Sequence, residues 1–270
     1  MSEVIVAHRD GAVQVLSFNN PATRNALTPE VYSALSAAFE QAQRDPDVGA
    51  ILLTGAGGVF CSGGDLRRLA QRRAMTPPER RAGIEGLHGL IRAIRDCGKP
   101  VIAAVEGSAA GAGLSIALAC DLLVAARNAS FSVAYVKVGL SPDGGATAFL
   151  SEFVSRQVLT ELCLTGKPVT GERMHALGVV NRLAAPGSAL AEAIVMARTL
   201  ASGPERAIAR IKSLCRHAGE NTLDAQLDLE ARNMVDSLGD DEAAEGIEAF
   251  FGKRSADFSA LRRASAVLSQ

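Results

Sequence analysis

Apolar and polar positions along the chain follow two alternating patterns, one typical of buried strands and the other of amphipathic helices. Short apolar runs predict strands over VQVLSF (13–18), GAILLT (49–54), VIAAV (101–105) and LLVAA (122–126). Helical segments separate several of these runs. Because strands that alternate with helices usually form parallel sheets, we expect an α/β fold.

Two helices are defined by their start signals and their spacing. Thr28, Pro29 and Glu30 provide an N-cap, a proline at the first helical position and an early acid. The apolar side of that helix repeats at Val31, Leu35, Phe39 and Ala42. A second helix is predicted from about Ile84 to Asp96, with Leu87, Ile91 and Ile94 on one face.

The pattern becomes purely helical after about residue 190. An acidic segment, DLEARNMVDSLGDDEAAEG, is followed there by FFGKRSADF. We therefore predict a core with the functional site over residues 1–190 and a helical region over residues 191–270, which is an extension and not an independent domain.

Composition narrows the classes of function. The 270 residues are 48% hydrophobic and 21% charged, with a net charge of −1, which argues against a general role at nucleic acids or membrane surfaces. No apolar stretch reaches eighteen residues and the N-terminus lacks signal-peptide character. The cysteines at 61, 97, 120, 163 and 215 form no CxxC pair. We expect a cytoplasmic protein with reduced thiols and no metal site.

The segment LSPDGGA (140–146) places one carboxylate, Asp143, between a proline and two glycines. This is favourable turn chemistry, since proline fixes φ and glycine accepts positive φ. Taken alone, the segment favours a structural turn over a catalytic acid.

Two glycine-rich segments follow predicted strands, TGAGGVFCSGGDLRRLA (54–70) and VEGSAAGAGLSIALACD (105–121). Where such a turn leads into a helix, its free N–H groups face a ligand and the helix dipole favours negative charge. Two converging N–H groups would form an oxyanion hole. Tight packing of helix on sheet explains either turn equally well.

The chain resembles the enoyl-CoA hydratase/isomerase (crotonase) superfamily along nearly its full length. The stretches that carry the resemblance are NNPATRNALTPEV (19–31), GGVFCSGGDL (57–66), KPVIAAVEGSAAGAGLSIALACDLLVAA (99–126), VGLSPDGGAT (138–147), LTGKPVTGERMHALGVVNRL (164–183) and EGIEAFFGKRSADF (245–258). The resemblance implies a spiral of ββα units, with C-terminal helices that assemble a homotrimer or hexamer. It also implies an acyl-CoA thioester as substrate, no further cofactor, and a thioester oxygen held by the N–H groups of Gly64 and Ala112.

The chain departs from the hydratases of this superfamily at their two catalytic glutamates. Ser115 and Tyr135 occupy those positions, and neither exchanges protons near neutral pH as a carboxylate does. Asp143 matches the acid of members that shift double bonds, and also the nucleophilic aspartate of the 4-chlorobenzoyl-CoA dehalogenase type. The resemblance thus favours a catalytic role for Asp143. In site pattern the chain is closest to the ring-oxepin (epoxyphenylacetyl-CoA) isomerases of phenylacetate catabolism.

Further site residues follow from motif positions in the resemblance. We include His88 among the catalytic candidates because it matches a mechanistic histidine of the dehalogenases, whereas a lone histidine on an apolar helix side is more often a core residue. We expect Tyr135 and Ser115 to shape the acyl pocket. The remaining substrate-binding candidates are Arg24, Ser62, Asp65 and Leu66, together with Phe250 and Lys253, which would reach the nucleotide of a neighbouring subunit. RRLAQRR (67–73) is either a further CoA contact or a solvated helix face.

We therefore expect an acyl-CoA isomerase in which Asp143 is the single acid–base group. The alternatives are an atypical hydratase, a dehalogenase-like hydrolase, and an acyl-CoA-binding homologue without catalysis. The identity of the acyl group cannot be inferred from these motifs.

Overall fold

The computed structural model describes residues 3–267. The strands of this part of the chain are β1 (Ile5–Asp10), β2 (Val13–Phe18), β3 (Ala50–Gly55), β4 (Val101–Val105), β5 (Ser108–Ala110), β6 (Leu122–Ala126), β7 (Ser130–Ser132), β8 (Val169–Thr170) and β9 (Arg182–Ala184). The helices are α1 (Pro29–Arg44), α2 (Leu66–Arg72), α3 (Pro77–Asp96), α4 (Ala112–Ala119), α5 (Ala146–Ser151), α6 (Arg156–Thr165), α7 (Gly171–Ala176), α8 (Ala189–Ala201), α9 (Glu205–His217), α10 (Leu223–Leu238), α11 (Asp241–Phe251) and α12 (Phe258–Val267).

Two sheets organise these elements. The larger sheet has the order β1-β2-β3-β4-β6-β9, antiparallel between β1 and β2 and parallel thereafter. The smaller sheet has the order β5-β7-β8, with β5 and β7 parallel. The chain passes from β4 of the large sheet to β5 of the small one, and from β6 to β7 in the same way. The expected α/β class is confirmed.

Successive residues of each large-sheet strand point to opposite faces, so the sheet has two apolar layers. On one face α8 lays Ala189, Ala193, Ala197 and Ala201 against the sheet, all at most 2% exposed. This spacing of four gives one helical stripe of small side chains, which lets the helix approach closely. The other face is covered by α1, α3 and α4 in a larger core. Helix α8 thus packs on the sheet even though it begins at the predicted boundary near residue 190; the two-part division of the chain stays a prediction.

The four predicted strands agree with β2, β3, β4 and β6 to within one residue at either end. Helix α1 has the predicted cap, with the Thr28 side chain accepting from the Val31 N–H. Helix α3 begins at Pro77, seven residues before the predicted start. Its first turns are charged and lack an apolar stripe, and a capping box of Thr76 and Glu79 starts it instead.

Candidate active site

A cavity of about 460 Å³ is lined by both glycine-rich segments, at residues 62–66 of the first and 111–112 of the second. Its lining combines the two segments with α1, α2, α3 and the loop that carries Asp143. The residues that the sequence assigned to different motifs therefore meet in one place.

Backbone pairing holds the two glycine-rich segments side by side. The Cys61 N–H donates to the Ser108 carbonyl at 2.9 Å, and the Ala110 N–H donates to the Cys61 carbonyl at 3.0 Å. Gly63 has a φ of +92°, and a Cβ there would lie 2.7 Å from the Ala110 carbonyl oxygen. Only a glycine allows this approach without displacing backbone, so the two turns are fixed relative to each other.

Two residues of these segments bring backbone N–H groups to the cavity lining. Gly64 and Ala112 both line it, and Ala112 is the first residue of α4, where helical N–H groups have no partner within the helix. Within residues 3–267, neither N–H is hydrogen-bonded to a protein acceptor. The pair is therefore available to an anionic oxygen, as an oxyanion hole requires.

Asn25 secures the first of these segments from behind. It is 1% exposed, and its side-chain amide donates to the Ala56 and Val59 carbonyls at 3.0 and 2.6 Å. Its φ is +58°, a conformation that asparagine tolerates better than most residues. The sequence analysis did not identify Asn25 as important. The feature that could have done so is its position in the middle of NNPATRNALTPEV (19–31), one of the stretches that match the superfamily.

The segment LSPDGGA is both a turn and part of the cavity. Gly144 and Gly145 have φ values of +62° and +82°, and Gly145 is the N-cap of α5. A Cβ on Gly144 would lie 2.9 Å from the Ser115 Cβ, so the turn packs directly on α4. The turn chemistry thus places the half-buried Asp143 at the cavity wall.

Tyr135 and Ser115 hold Asp143 in position. The Tyr135 hydroxyl donates to Asp143 Oδ1 at 2.8 Å, and the fully buried Ser115 hydroxyl donates to the Asp143 carbonyl at 2.9 Å. Burial, followed by the Asp143 charge, raises the pKa of Tyr135 well above its ordinary value, so this phenol stays a proton donor. Among the described residues, Asp143 Oδ2 accepts no hydrogen bond.

Tyr32 is a cavity residue that the sequence did not reveal. It lies on α1 beside the buried Val31, and it and Tyr135 are the two tyrosines of the chain. Burial and then the Asp143 charge raise the pKa of Tyr32 to about 12, while Arg72 acts in the opposite direction. Tyr32, Tyr135 and Asp143 all line the cavity. A possible signal was the scarcity of tyrosine together with its place next to an apolar stripe.

The structure does not bring His88 into the cavity lining. Arg80, Gly83, Ile84 and Leu87 form the cavity side of α3, at helical spacings of three and four. His88 lies to one side of that stripe, with its Nδ1 3.8 Å from the Glu85 carboxylate. Among the described residues, no hydrogen bond or ion pair joins His88 to Asp143.

Ser62, Asp65 and Leu66 lie in the cavity lining, as expected for substrate-binding residues. Asp65 is also the N-cap of α2, since its Oδ1 accepts from the Arg67 and Arg68 N–H groups at 2.8 and 3.3 Å. Ser115 lies just behind the lining, hydrogen-bonded to the Asp143 loop.

Three candidates for binding the nucleotide lie outside the cavity lining. Arg24 is exposed, with a φ of +56°, and its carbonyl accepts from the Ser62 N–H. Phe250 is 79% exposed near the end of α11, and the exposed Lys253 follows with a φ of +51°.

Two other classes of feature are absent from residues 3–267. No helix there combines the length and the apolar character needed to cross a membrane. No group of three or more histidine, cysteine, aspartate or glutamate side chains in that range could hold a metal ion.

Comparison with known proteins agrees with this geometry. The family model for enoyl-CoA hydratase/isomerase matches residues 8–261. The chain is 35% identical to the 1,2-epoxyphenylacetyl-CoA isomerase of Escherichia coli K12, over 96% of this chain and 99% of that protein. It is 31% identical to the 2,3-dehydroadipyl-CoA hydratase of the same organism, with the same coverage.

A solved structure of an enoyl-CoA hydratase from Polaromonas sp. JS666 superimposes with a TM-score of 0.91 at 45% identity, covering 93% of this chain and 98% of that one. An enoyl-CoA hydratase from Mycobacterium smegmatis gives a TM-score of 0.88 at 31% identity, covering 95% and 99%. The predicted crotonase architecture is confirmed. Because the family model matches nearly the whole chain and the relatives agree with it, the chain belongs to the enoyl-CoA hydratase/isomerase family.

Proposed function

We propose that this family member is an acyl-CoA isomerase that uses Asp143 as its single acid–base group. The observation that carries the proposal is the carboxylate content of the cavity. Asp65 and Asp143 are the acids in its lining, and Asp65 is engaged as the N-cap of α2. Asp143 keeps one oxygen without a protein partner among the described residues.

The proposed reaction passes through a thioester enolate. Asp143 removes a proton from the carbon next to the thioester carbonyl, and the electron pair moves onto the carbonyl oxygen. The N–H groups of Gly64 and Ala112 stabilise that oxygen as charge develops on it. The carbonyl double bond then re-forms, and the electrons of the enolate C=C bond move along the acyl chain, so that the double bond already present in the substrate shifts toward the thioester. Asp143 delivers its proton to the carbon at the far end of the original double bond.

Tyr135 and Ser115 support this chemistry by fixing the carboxylate. With Oδ1 bound to the Tyr135 hydroxyl at 2.8 Å, the other oxygen of Asp143 is the one that exchanges the proton. The two residues replace the glutamate pair expected of a hydratase, so we expect slow hydration of crotonyl-CoA. We assign no step to His88, which does not line the cavity.

Binding of CoA is proposed to extend beyond the single chain. Arg24, Phe250 and Lys253 are candidates for the adenine and the phosphates, the last two from a neighbouring subunit of a trimer or hexamer. The support is the large apolar exposure of the last helices, where Met234, Val235 and Phe251 are 62%, 69% and 77% exposed. We propose a cytoplasmic enzyme that needs no cofactor besides the CoA of its substrate.

Solvent exchange tests the reaction. The wild type should exchange the α-hydrogens of acyl-CoA thioesters with D₂O, as followed by mass spectrometry. Asp143→Asn should slow exchange by roughly 10²–10⁴-fold and leave affinity for CoA thioesters nearly unchanged, because the oxyanion hole is backbone. Ser151→Ala, on the exposed side of α5, is the matched control and should behave as wild type.

Three outcomes would overturn the proposal. An ester on the peptide that contains Asp143, seen as a mass increase during turnover, would identify a nucleophile and favour the hydrolase. A protein that binds acyl-CoA but shows neither exchange nor adduct over a broad panel would be a binding homologue. Efficient hydration unaffected by Asp143→Asn would identify a hydratase.

A further inference from the structure

Four arginines line the cavity, and one of them differs from the rest. Arg68, Arg73 and Arg80 are exposed, and Arg68 pairs with Glu30 at 3.1 Å. Arg72 is half-buried. Within residues 3–267 its guanidinium forms no ion pair with a carboxylate. Among the described residues, the Arg72 guanidinium is therefore available to an anionic ligand in the cavity.

The position of Arg72 relates it to the acyl end of the site. A Cβ on Gly83 would lie 2.9 Å from the Arg72 Cζ, so the guanidinium lies directly over the cavity side of α3. Leu87, one turn further along α3 than Gly83, packs on the glycine next to Asp143, since a Cβ on Gly144 would lie 3.0 Å from Leu87 Cδ2. The Tyr32 ring packs against Gly86 on the same helix. Arg72, Tyr32 and Asp143 therefore line one cavity, along the wall that α3 forms.

This location distinguishes Arg72 from a CoA-phosphate contact. The long pantetheine arm of CoA separates its phosphates from the thioester. A thioester oxygen held by Gly64 and Ala112 next to Asp143 keeps the phosphates away from this wall. The group that meets Arg72 and Tyr32 is then part of the acyl moiety.

We propose that Arg72 and Tyr32 bind a carboxylate at the far end of the acyl group, so that the preferred substrates are mono-CoA thioesters of dicarboxylic acids. The inference rests on the acyl-CoA site of the proposed function and names the substrate class of that site. Guanidinium groups bind carboxylates by charge-assisted hydrogen bonds, and a neighbouring phenol adds a further donor. Glycine at position 83 leaves the space that the guanidinium occupies.

The test is a comparison of binding by saturated thioesters, which cannot undergo the double-bond shift. Isothermal titration would compare succinyl-, glutaryl-, adipyl- and pimelyl-CoA with butyryl-, valeryl-, hexanoyl- and heptanoyl-CoA. In the wild type, at least one dicarboxylic thioester should bind on the order of tenfold or more tighter than its chain-length partner. Arg72→Gln should abolish that ratio and leave the monocarboxylic affinities nearly unchanged.

Matched variants separate recognition from general charge and from misfolding. Arg67→Gln removes the same charge from the same helix, outside the cavity lining, and should keep the ratio. Gly83→Ala keeps the charge but displaces the guanidinium, and it should reduce the ratio, as should Tyr32→Phe to a smaller extent. Circular dichroism and urea unfolding establish that each variant is folded. If Arg72→Gln does not fold, Gly83→Ala decides.

Three results would overturn the inference. These are equal binding of both series by the wild type, a ratio that persists in Arg72→Gln, or an equal loss for both series, which would assign Arg72 to the CoA phosphates. None depends on turnover. If the wild type shows no α-hydrogen exchange in D₂O but does bind dicarboxylic thioesters more tightly than monocarboxylic ones, the proposed isomerase activity is wrong and the proposed substrate class still holds.

Discussion

Gly63→Ala tests whether the contact between the two glycine-rich segments sets the oxyanion hole. A methyl group there would lie 2.7 Å from the Ala110 carbonyl oxygen and 3.5 Å from the Ala112 nitrogen. Both of these atoms are backbone, so no side-chain rotation relieves the overlap. The segments must separate, and Gly64 and Ala112 separate with them.

The structure also supplies a matched control. Gly58 lies in the same segment with a φ of +70°, close to the +92° of Gly63, but a Cβ there meets nothing within 4 Å. Alanine in this left-handed conformation costs about 1–2 kcal/mol at either position. The overlap at Gly63 adds about 1–3 kcal/mol, as for other overpacked sites. We therefore expect about 1–2 kcal/mol of destabilisation for Gly58→Ala and about 2–5 kcal/mol for Gly63→Ala.

Activity should separate the two variants more clearly than stability does. Displacing one oxyanion donor typically lowers the rate on the order of 10²–10³-fold, and a shift of about 1 Å in a reacting group has a similar effect. Urea unfolding would give the stabilities, and the α-hydrogen exchange rate in D₂O would give the activities. Full activity in folded Gly63→Ala, or an equal loss in Gly58→Ala, would refute the role of this contact.

Three further predictions follow from other parts of the molecule. Tyr135→Phe removes the 2.8 Å hydrogen bond to Asp143 and should lower the exchange rate at least about tenfold with unchanged CoA affinity; an unchanged rate would contradict the positioning role. Burial raises the pKa of the Cys61 thiol from 9.0 to about 12, a contribution to stability that is complete below pH 9 and lost as pH rises toward 12. Urea unfolding should therefore show a decline above about pH 9 that is shallower in Cys61→Ala, and equal slopes would refute this. Phe250→Asp with Phe251→Asp should give a folded monomer by light scattering, because both rings are more than three-quarters exposed in the single chain; an oligomer of wild-type size would contradict their role at the interface.

The fold could be predicted from the sequence where local signals and burial agree. The apolar runs that became β3 and β4 are buried on both faces, so their pattern is continuous and their ends are clear. The cap at Thr28 fixed the start of α1 in the same way. The start of α3 was predicted seven residues too late because its first turns are exposed and charged and show no apolar repeat. The residues that mark this start are Thr76 and Glu79, which form the capping box.

The residues that line the candidate site could be predicted where the backbone conformation requires glycine. They were harder to predict where a side chain reaches the cavity from an element distant in sequence. Gly64, Ala112 and Asp143 lie in motifs whose turns need particular residues. Tyr32 reaches the cavity from α1, which is distant in sequence from both turns. The apolar repeat of α1 predicts which of its sides is buried, but not which other elements pack against that helix. His88 shows the same limit of sequence-based prediction. Adjacent residues of a helix point in different directions, and on α3 it is Leu87 and not His88 that lines the cavity.

The two interpretations of LSPDGGA are consequences of one geometry. A proton shuttle must hold its carboxylate in one place while the proton is on it, because the carbon that receives the proton differs from the carbon that gave it. The positive φ of Gly144 and Gly145 turns the chain sharply into α5, and the buried Ser115 fastens the Asp143 carbonyl to α4. The backbone of the acid is therefore held by the turn, and Tyr135 holds one of its oxygens. In the proposed isomerase, the residues that form this turn therefore hold one aspartate in place for both proton transfers.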